Sequence, residues 1–354
     1  MSKEDKRKIA VALLPWANLK QDIQVGPVTF WPWDPSKIQD EEIKNQLERF
    51  FKIFVDHHGN PVDTITICSH GKPDFHLLEE KEFYELLWPA INILTFSAIC
   101  SGVKRCVCTN NKMAPPTTEH YDFFGPKFEI PNDRCVVVIA RNSFNFENID
   151  KVRISKPWCV PNSWGADYDI DLLKAFGKIF DESFPLEVRE RIFRSLEWFR
   201  LAHTEANNVS EASKLVMRST AFEILLDFRE QPKSVYFANQ IENKLKKDKS
   251  ISETRTHKDK QYTYTKAACW AYDFYQLRSK IVHGEQFKPK DGIYKGDINH
   301  NTVADLVLEE LIVRELFEND CFGEEATEFD RNFNEFLRWR TMKDDYHKVL
   351  GWIK

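Results

Sequence analysis

The sequence of 354 residues predicts an α+β domain over residues 1–165, followed by an all-α four-helix bundle over residues 166–322. In the first part short β-rich runs alternate with helical segments, whereas strand signals cease after the proline- and tryptophan-containing stretch 157–165. The length also exceeds what one hydrophobic core usually organises. We therefore expect two domains, with residues 323–354 forming an amphipathic helical tail.

The first domain is predicted to contain β-strands at residues 9–14, 25–30, 62–69, 103–109, 135–141 and 151–154. Apolar side chains at helical spacing predict helices over residues 41–55 and 80–99. Residues 86–103 carry no charge and reach the lower limit for a membrane span. Polar side chains inside this run and the acidic residues before it favour a buried core helix instead, so no association with a membrane is expected.

The composition limits the class of protein. A formal net charge of −5 argues against a uniformly basic nucleic-acid-binding protein but leaves room for a local basic surface. The eight cysteines have no regular spacing, which predicts reduced thiols and a cytoplasmic location. The Cys-x-His pair at Cys68 and the Cys-x-Cys pair at Cys106 lack the usual zinc spacing, and no metal or cofactor is predicted. Trp31 and Trp33 form either a stacking surface for a ligand or a loop packed onto the core.

Apolar stripes predict the helices of the second domain at about residues 185–199, 209–229, 265–283 and 302–318. Thr302 and Asp305 resemble a capping box at the start of the last of these helices. The connection 242–266 is predicted as a loop that carries an excess of four positive charges. Such a loop is either a solvated surface or a surface that follows a phosphate backbone.

The end of the third of these helices contains the candidate site. Arg278 precedes His283 by five positions, and Gly284 is suited to the left-handed conformation that ends a helix. Residues five apart on an ideal helix point about 140° away from each other, so the two side chains converge only where the helix frays. In the simpler interpretation His283 is a C-terminal cation beside the last carbonyl groups.

The run Leu-Arg-Ser-Lys-Ile-Val-His-Gly over residues 277–284 resembles the Arg-x4-His motif of HEPN domains, especially that of their Apea-like branch. Residues 219–226, Ser-Thr-Ala-Phe-Glu-Ile-Leu-Leu, are similar to the helix of these domains that carries an acidic residue, which points to Glu223. The resemblance covers residues 167–319 and implies that the helical bundle is of the HEPN type. Many active HEPN ribonucleases have Asn, Asp or His directly after the Arg, whereas this chain has Ser279.

The resemblance implies a metal-independent endoribonuclease that cleaves RNA by attack of the 2′-hydroxyl group, as a homodimer whose two Arg–His pairs face each other. His283 would transfer protons and Arg278 would bind the scissile phosphate. Ser279 and Lys280 would make further RNA contacts, and Glu223 would orient the arginine. We expect a toxin-like effector in defence against phage, with the first domain selecting RNA or responding to a phage-derived or protein trigger.

Additional RNA contacts are expected from the basic connection, through Lys246, Lys247, Arg255, Lys258, Lys260 and Tyr262. The alternative is a non-catalytic HEPN module that binds RNA, a nucleotide or a protein partner. A third interpretation is an adaptor that dimerises through its tail, where apolar side chains give residues 327–340 an amphipathic face. Docking of this face onto the chain's own bundle is the simpler arrangement.

Overall fold

A computed structural model describes residues 7–62, 64–71, 80–109, 113–130, 135–139, 142–146, 149–161, 165–205, 209–247, 250–323, 329, 332–340 and 346–353. Contacts divide the chain into two compact units, of which one comprises Met1–Ala98 and Pro116–Phe180 and the other Ile99–Pro115 and Asp181–Lys354. The first unit contains a β-sheet with helices, and the second is rich in helix. The predicted order of an α+β region before a helical region is confirmed.

The first unit is built on a mainly antiparallel sheet. Its strands are β1 (Arg7–Ala10), β2 (Ala12–Leu14), β3 (Ile23–Val25), β4 (Val28–Pro32), β6 (Thr66–His70), β7 (Phe124–Ile130), β8 (Cys135–Ile139) and β9 (Asn142–Phe146). The strand order is β3-β4-β6-β2-β7-β8-β9, and β1 also pairs with β7. A separate parallel pair joins β5 (Phe54–Val55) to β10 (Ile154–Ser155).

The helices of the first unit cover this core. Helix α1 (Glu41–Phe51) begins at Asp40, whose carboxylate accepts the backbone N–H groups of Glu42 and Ile43. It ends before the predicted residue 55 because Phe54 and Val55 form strand β5. Helix α3 (Ile170–Gly177) follows the last strand of the unit.

Trp31 and Trp33 belong to the interior of the first unit. The side chain of Trp31 is fully buried, and its indole N–H donates to Ser69 Oγ at 3.2 Å. The ring of Trp33 meets that of Phe51 edge to face, with their centroids 4.9 Å apart. The interpretation of these tryptophans as core packing is confirmed.

Helix α2 (Glu80–Thr109) corrects the prediction of a strand at residues 103–109. The β-branched and cysteine side chains there favour a strand locally, but the segment continues the preceding helix and buries Val103. Lys104 also forms an ion pair with Glu309 at 2.6 Å within the second unit. Residues Glu82–Thr109 are long and apolar enough to cross a membrane by length and composition, yet 78% of their most apolar window is buried. This burial is that of a core helix and is consistent with a soluble protein.

Other strand boundaries also differ from prediction. The Gly125-Pro126 pair, which marks a turn by its sequence, lies inside strand β7. Pro126 donates no hydrogen bond there, but its carbonyl oxygen accepts the N–H of Val11 at 3.0 Å. Residues 149–151 form a 3-10 turn, so the strand predicted at 151–154 is reduced to Ile154 and Ser155.

Helices occur at all four positions predicted for the second unit: α4 (Leu186–Ala202), α5 (Glu211–Leu225), α7 (Lys266–Val282) and α8 (His300–Glu318). A further helix, α6 (Lys233–Leu245), packs beside α7. The connection predicted as a loop over residues 242–266 is wrong in part, because it contains the hairpin of β11 (Ser252–His257) and β12 (Lys260–Thr265). Its turn residues Lys258 and Asp259 both have positive φ, as a two-residue hairpin turn requires. A small hairpin of β13 (Ile293–Lys295) and β14 (Ile298–Asn299) precedes α8.

The aromatic tail packs against the helices of its own unit. Helix α9 (Phe333–Arg340) brings the ring of Phe336 against that of Phe317, with centroids 4.8 Å apart. The guanidinium carbon of Arg314 lies 4.1 Å from the ring centroid of Phe333. Helix α10 (Tyr346–Leu350) supplies His347, which pairs with buried Glu310 at 2.7 Å. The docked arrangement of the tail is therefore confirmed for the part that the structure describes.

The capping box predicted at Thr302 and Asp305 is wrong. Asn299 caps α8 instead, since its side chain accepts the N–H of Thr302 at 2.7 Å. Asp305 is buried and accepts from Arg218 Nε at 2.7 Å, while its second oxygen lies 3.0 Å from His203 Nε2. Burial raises the pKa of Asp305, but the charges of Arg218 and His203 outweigh burial and hold this pKa below its ordinary value.

We expect Asp305→Ala to lower the free energy of unfolding by about 3–5 kcal/mol, because it leaves the Arg218 guanidinium buried without its carboxylate. Urea unfolding followed by circular dichroism measures the change. Asp297→Asn, at an exposed carboxylate of the same unit, is the matched control and should cost less than about 0.5 kcal/mol. Equal effects of the two substitutions would show that the buried network contributes nothing.

Candidate active site

The predicted Arg-x4-His stretch closes helix α7. The helix begins at Thr265, whose hydroxyl accepts the N–H of Ala268 at 3.3 Å, and His283 is its C-terminal cap. Gly284 has a φ of +85°, and its N–H donates to Ile281 O at 3.0 Å. The N–H of Glu285 donates to Lys280 O at 3.0 Å, so the two bonds form a Schellman motif. The predicted left-handed glycine is confirmed, and open space around it shows that the backbone angle, not crowding, favours glycine.

Arg278 and His283 are not joined within one chain. His283 caps the helix with φ −84° and ψ 6°, outside the helical region, and residues five apart on an ideal helix diverge by about 140°. Neither a hydrogen bond nor an ion pair links the two side chains in the described part of the chain. His283 is exposed, whereas the side chain of Arg278 is 22% exposed.

Glu223 on α5 holds Arg278 through an ion pair of 3.1 Å between its Oε1 and the arginine Nη2. The same oxygen accepts the phenol of Tyr275 at 2.9 Å, and Oε2 accepts Lys233 Nζ at 2.6 Å. The Arg278 guanidinium also lies 5.4 Å from the Tyr275 ring centroid, within cation–π range. One carboxylate thus joins α5, α6 and α7 at the predicted site.

The electrostatics of this cluster favour a fixed arginine. Burial, followed by the charge of Glu223, raises the pKa of Tyr275, so the phenol stays a hydrogen-bond donor. Arg278 Nε is buried and has no hydrogen-bond partner among the described residues. The contacts with Glu223 and with the Tyr275 ring therefore hold this largely buried guanidinium in place.

The other predicted site residues lie on the same helix end. Ser279 is partly buried, and its carbonyl oxygen accepts the N–H of His283 at 3.0 Å. Lys280 is exposed and has no ion-pair partner among the described residues. Both therefore lie between Arg278 and His283 in the chain, with Lys280 presented to solvent.

The residues predicted to bind RNA fall into two groups in the structure, and three of the cations form ion pairs within the chain. Arg255 forms a bidentate pair with Asp273 on α7, in which Nη2 lies 2.9 Å from Oδ2; hydrogen bonding to this carboxylate raises the pKa of the arginine. Lys246 Nζ lies 3.2 Å from Glu242 Oε1, and Lys247 Nζ lies 4.0 Å from Glu310 Oε1. These three cations are thus at least partly neutralised within the chain.

The remaining three members of that set lie on the β11/β12 hairpin. Lys258 lies in its turn and Lys260 directly follows the turn; both are exposed, without ion pairs in the described segments. Tyr262 is stacked on Tyr264 with centroids 5.7 Å apart and planes at 5°. The hairpin tip is therefore the part of the predicted basic surface that keeps free charge.

Tyr275 and Lys233 were missing from the predicted site. Tyr275 lies three residues before Arg278 on the same helix, so its spacing offered a usable signal. Lys233 lies on α6, which the sequence did not reveal as a helix, and nothing in its local sequence points to Glu223. Groups of three or more His, Cys, Asp or Glu side chains placed to hold a metal ion do not occur among the described residues.

No family model, curated protein or solved structure matches this chain. The resemblance to HEPN domains therefore depends on the residues of α5 and α7 alone, and it remains a prediction.

Removal of the central carboxylate should destabilise this end of the bundle. We expect Glu223→Ala to lower the free energy of unfolding by about 1–3 kcal/mol, because the partly buried Arg278, Tyr275 and Lys233 lose their common acceptor. Glu197→Ala, at an exposed glutamate on α4, is the matched control in the same urea titration. A loss no larger than that of the control would mean that the cluster does not hold the three helices together.

Proposed function

We propose that the chain is a metal-independent endoribonuclease with a HEPN-type helical bundle. The observation that carries the proposal is the position of Arg278, which an ion pair of 3.1 Å with Glu223 fixes near the end of helix α7. The same helix end, closed by Gly284, exposes His283 to solvent. An arginine and a histidine supply phosphate binding and proton transfer without further groups.

The chemistry is transesterification followed by product release. His283 accepts the proton of a ribose 2′-hydroxyl, or protonates the leaving 5′-oxygen, since imidazole serves as base and acid near neutral pH. The 2′-oxygen forms a bond to phosphorus as the bond to the 5′-oxygen breaks. Arg278 stabilises the charge that develops on the phosphoryl oxygens. The products carry a 2′,3′-cyclic phosphate and a 5′-hydroxyl group.

Glu223 and Tyr275 act in this proposal as positioning residues. Glu223 binds one terminal nitrogen of Arg278, and the Tyr275 ring lies beside the guanidinium. The side chain of Arg278 is 22% exposed, and this exposed part is left for phosphate. A fixed guanidinium loses little freedom when phosphate binds, which favours transition-state stabilisation.

The active form in this proposal is a homodimer formed through the helical bundle. Arg278 and His283 diverge within one chain, so the arginine of one protomer acts with the histidine of its partner. Val282, adjacent to His283, has a side chain that is 50% exposed and offers apolar surface for such a contact.

The cellular role follows from the resemblance. A cytoplasmic ribonuclease of this kind acts as a toxin-like effector, and we propose a role in defence against phage. The first unit would then select RNA or respond to a phage-derived or protein trigger, and the exposed Lys258 and Lys260 would add contacts to the RNA backbone.

Purified protein should cleave total RNA in the presence of EDTA and leave 2′,3′-cyclic phosphate ends. We expect Arg278→Ala and His283→Ala each to reduce the rate at least about 100-fold, the scale of general acid–base catalysis. Gel analysis and end-specific ligation measure the products. Arg229→Ala and His58→Ala are matched exposed controls that should keep the wild-type rate. Unchanged cleavage by both site variants would assign the activity to a contaminant.

A dimer should be detectable by sedimentation velocity. We expect Val282→Asp to shift the protein toward monomer and to reduce cleavage in parallel, because a charge would lie in the apolar contact. Mixing Arg278→Ala with His283→Ala protomers should restore part of the activity, since one intact composite site then forms. Full activity in a strictly monomeric wild-type protein would contradict the shared site.

The alternative function is a non-catalytic HEPN module that binds RNA, a nucleotide or a protein. It is favoured by the occupied Nη2 of Arg278 and by Ser279 at the position after it. Growth arrest on expression that His283→Ala abolishes would decide against this alternative, because binding alone does not require a proton-transfer group.

A further inference from the structure

A pocket of about 370 Å³ lies on helix α7 beside the proposed site. It is enclosed by the C-terminal half of α7, the segment that follows it and the first residue of α8. The residues that decide its chemistry are Lys280, Ile281, Glu285, Phe287, Asp291 and His300. Its volume falls in the lower part of the range of small-molecule sites.

Neither Arg278 nor His283 lines the pocket, but two lining residues are their neighbours on the helix. Side chains three positions apart are neighbours on a helix surface. Ile281 follows Arg278 by three positions, and Lys280 precedes His283 by three positions. A nucleotide whose phosphate is bound at the helix end therefore has this pocket within reach of its base.

The charges of the pocket exclude a phosphate group. Asp273, also in its wall, is already paired with Arg255. Glu285 has no ion-pair partner among the described residues, and Asp291 uses Oδ2 to accept the N–H of Lys288 at 2.9 Å. The pocket therefore has two carboxylates, Glu285 and Asp291, that can still accept hydrogen bonds, and one cation, Lys280. This balance favours a ligand that donates N–H groups.

His300 also lines the pocket. Its Nδ1 is buried and without a hydrogen-bond partner among the described residues. Burial lowers the pKa of His300, and the charge of Asp273 opposes this only in part, so the ring is neutral near pH 7. A neutral imidazole can donate one hydrogen bond and accept another, and it adds no charge.

Phe287 supplies a flat apolar wall whose position depends on a glycine. A Cβ atom at Gly292 would lie 3.1 Å from the Cζ atom of the Phe287 ring, so the ring packs directly over this residue. Together with Ile281, the ring offers the contact that a planar heterocycle requires for stacking.

We infer that this pocket binds one nucleobase of the RNA, next to the scissile phosphate, and that it selects bases with an amino group. The inference rests on the proposed function. Guanine, adenine and cytosine donate amino N–H groups to a carboxylate, whereas uracil presents carbonyl oxygens beside its one N–H group. Glu285 and Asp291 are the specificity-determining residues, and Phe287 is the stacking surface.

The first experiment maps the ends produced from a randomised RNA by the full-length protein. Wild type should cut about tenfold more often where guanine, adenine or cytosine occupies one fixed position beside the cut than where uracil does. In the Glu285→Gln/Asp291→Asn double variant this ratio should fall to about one, because carboxamides also donate to uracil oxygens. Asp297→Asn, at an exposed carboxylate outside the pocket, should keep the ratio.

Two further outcomes bear on the same experiment. Gly292→Ala should lower the ratio as well, because the added methyl group displaces Phe287. A wild-type cleavage pattern without any base preference beside the cut would overturn the inference and leave the ribonuclease proposal intact.

The second experiment separates the pocket from catalysis. The full-length Arg278→Ala variant is titrated with guanosine, cytidine, uridine and spermidine, and binding is followed by ligand-observed NMR. Guanosine and cytidine should bind at least about fivefold more tightly than uridine, and the double variant should lose this difference. This binding preference, found together with a wild-type protein that cuts no RNA, would support the pocket and refute the proposed function. Binding of spermidine alone, or of no probe, would refute the pocket.

Discussion

The carboxylate of Glu223 is the contact on which the candidate site depends. It lies on α5 and binds Arg278 and Tyr275 of α7 together with Lys233 of α6. The side chains of Glu223 and Arg278 are largely sheltered from solvent, so their attraction is screened less than that of a surface pair. Loss of the carboxylate would leave two cations and a phenol without their acceptor.

Helix α7 contacts the β11/β12 hairpin, contributes to the Glu223 cluster and lines the pocket. Arg255 and His257 tie the β11/β12 hairpin to it, through Asp273 and the Tyr272 phenol respectively. The Glu223 cluster lies on one flank of its C-terminal half, and the pocket occupies another. The Schellman motif at Gly284 ends the helix, and the segment that follows supplies Glu285, Phe287 and Asp291 to the pocket.

Charged side chains inside the second unit have a different role from those at the helix end. Arg218, Asp305 and His203 are buried together, and Glu310 is buried with Tyr346 and His347. Buried ion pairs add little net stability, because desolvation offsets attraction, but an unpaired member is costly. These groups therefore penalise wrong arrangements of α5, α8 and the tail more than they strengthen the correct one.

Local sequence determined the features that short-range physics controls. The apolar stripes located α4, α5, α7 and α8, and Gly284 marked the end of α7, because helical periodicity and left-handed backbone angles are properties of a few neighbouring residues. The same sequence singled out Glu223 through the resemblance of its helix to HEPN domains. The 30-residue span of α2 escaped sequence reasoning because residues 103–109 favour a strand locally, yet they continue the buried helix that precedes them.

Tertiary structure decided what distant residues do to one another. Asp305 looks like a helix cap by spacing, yet it pairs with Arg218, which lies 87 positions earlier in the chain. Arg255 looks like a nucleic-acid contact by composition, yet Asp273 neutralises it. Lys233 joins the Glu223 cluster without any local signal. A residue type and its spacing fix which bonds a side chain can make, whereas only the packed chain fixes which partner is near enough to make them.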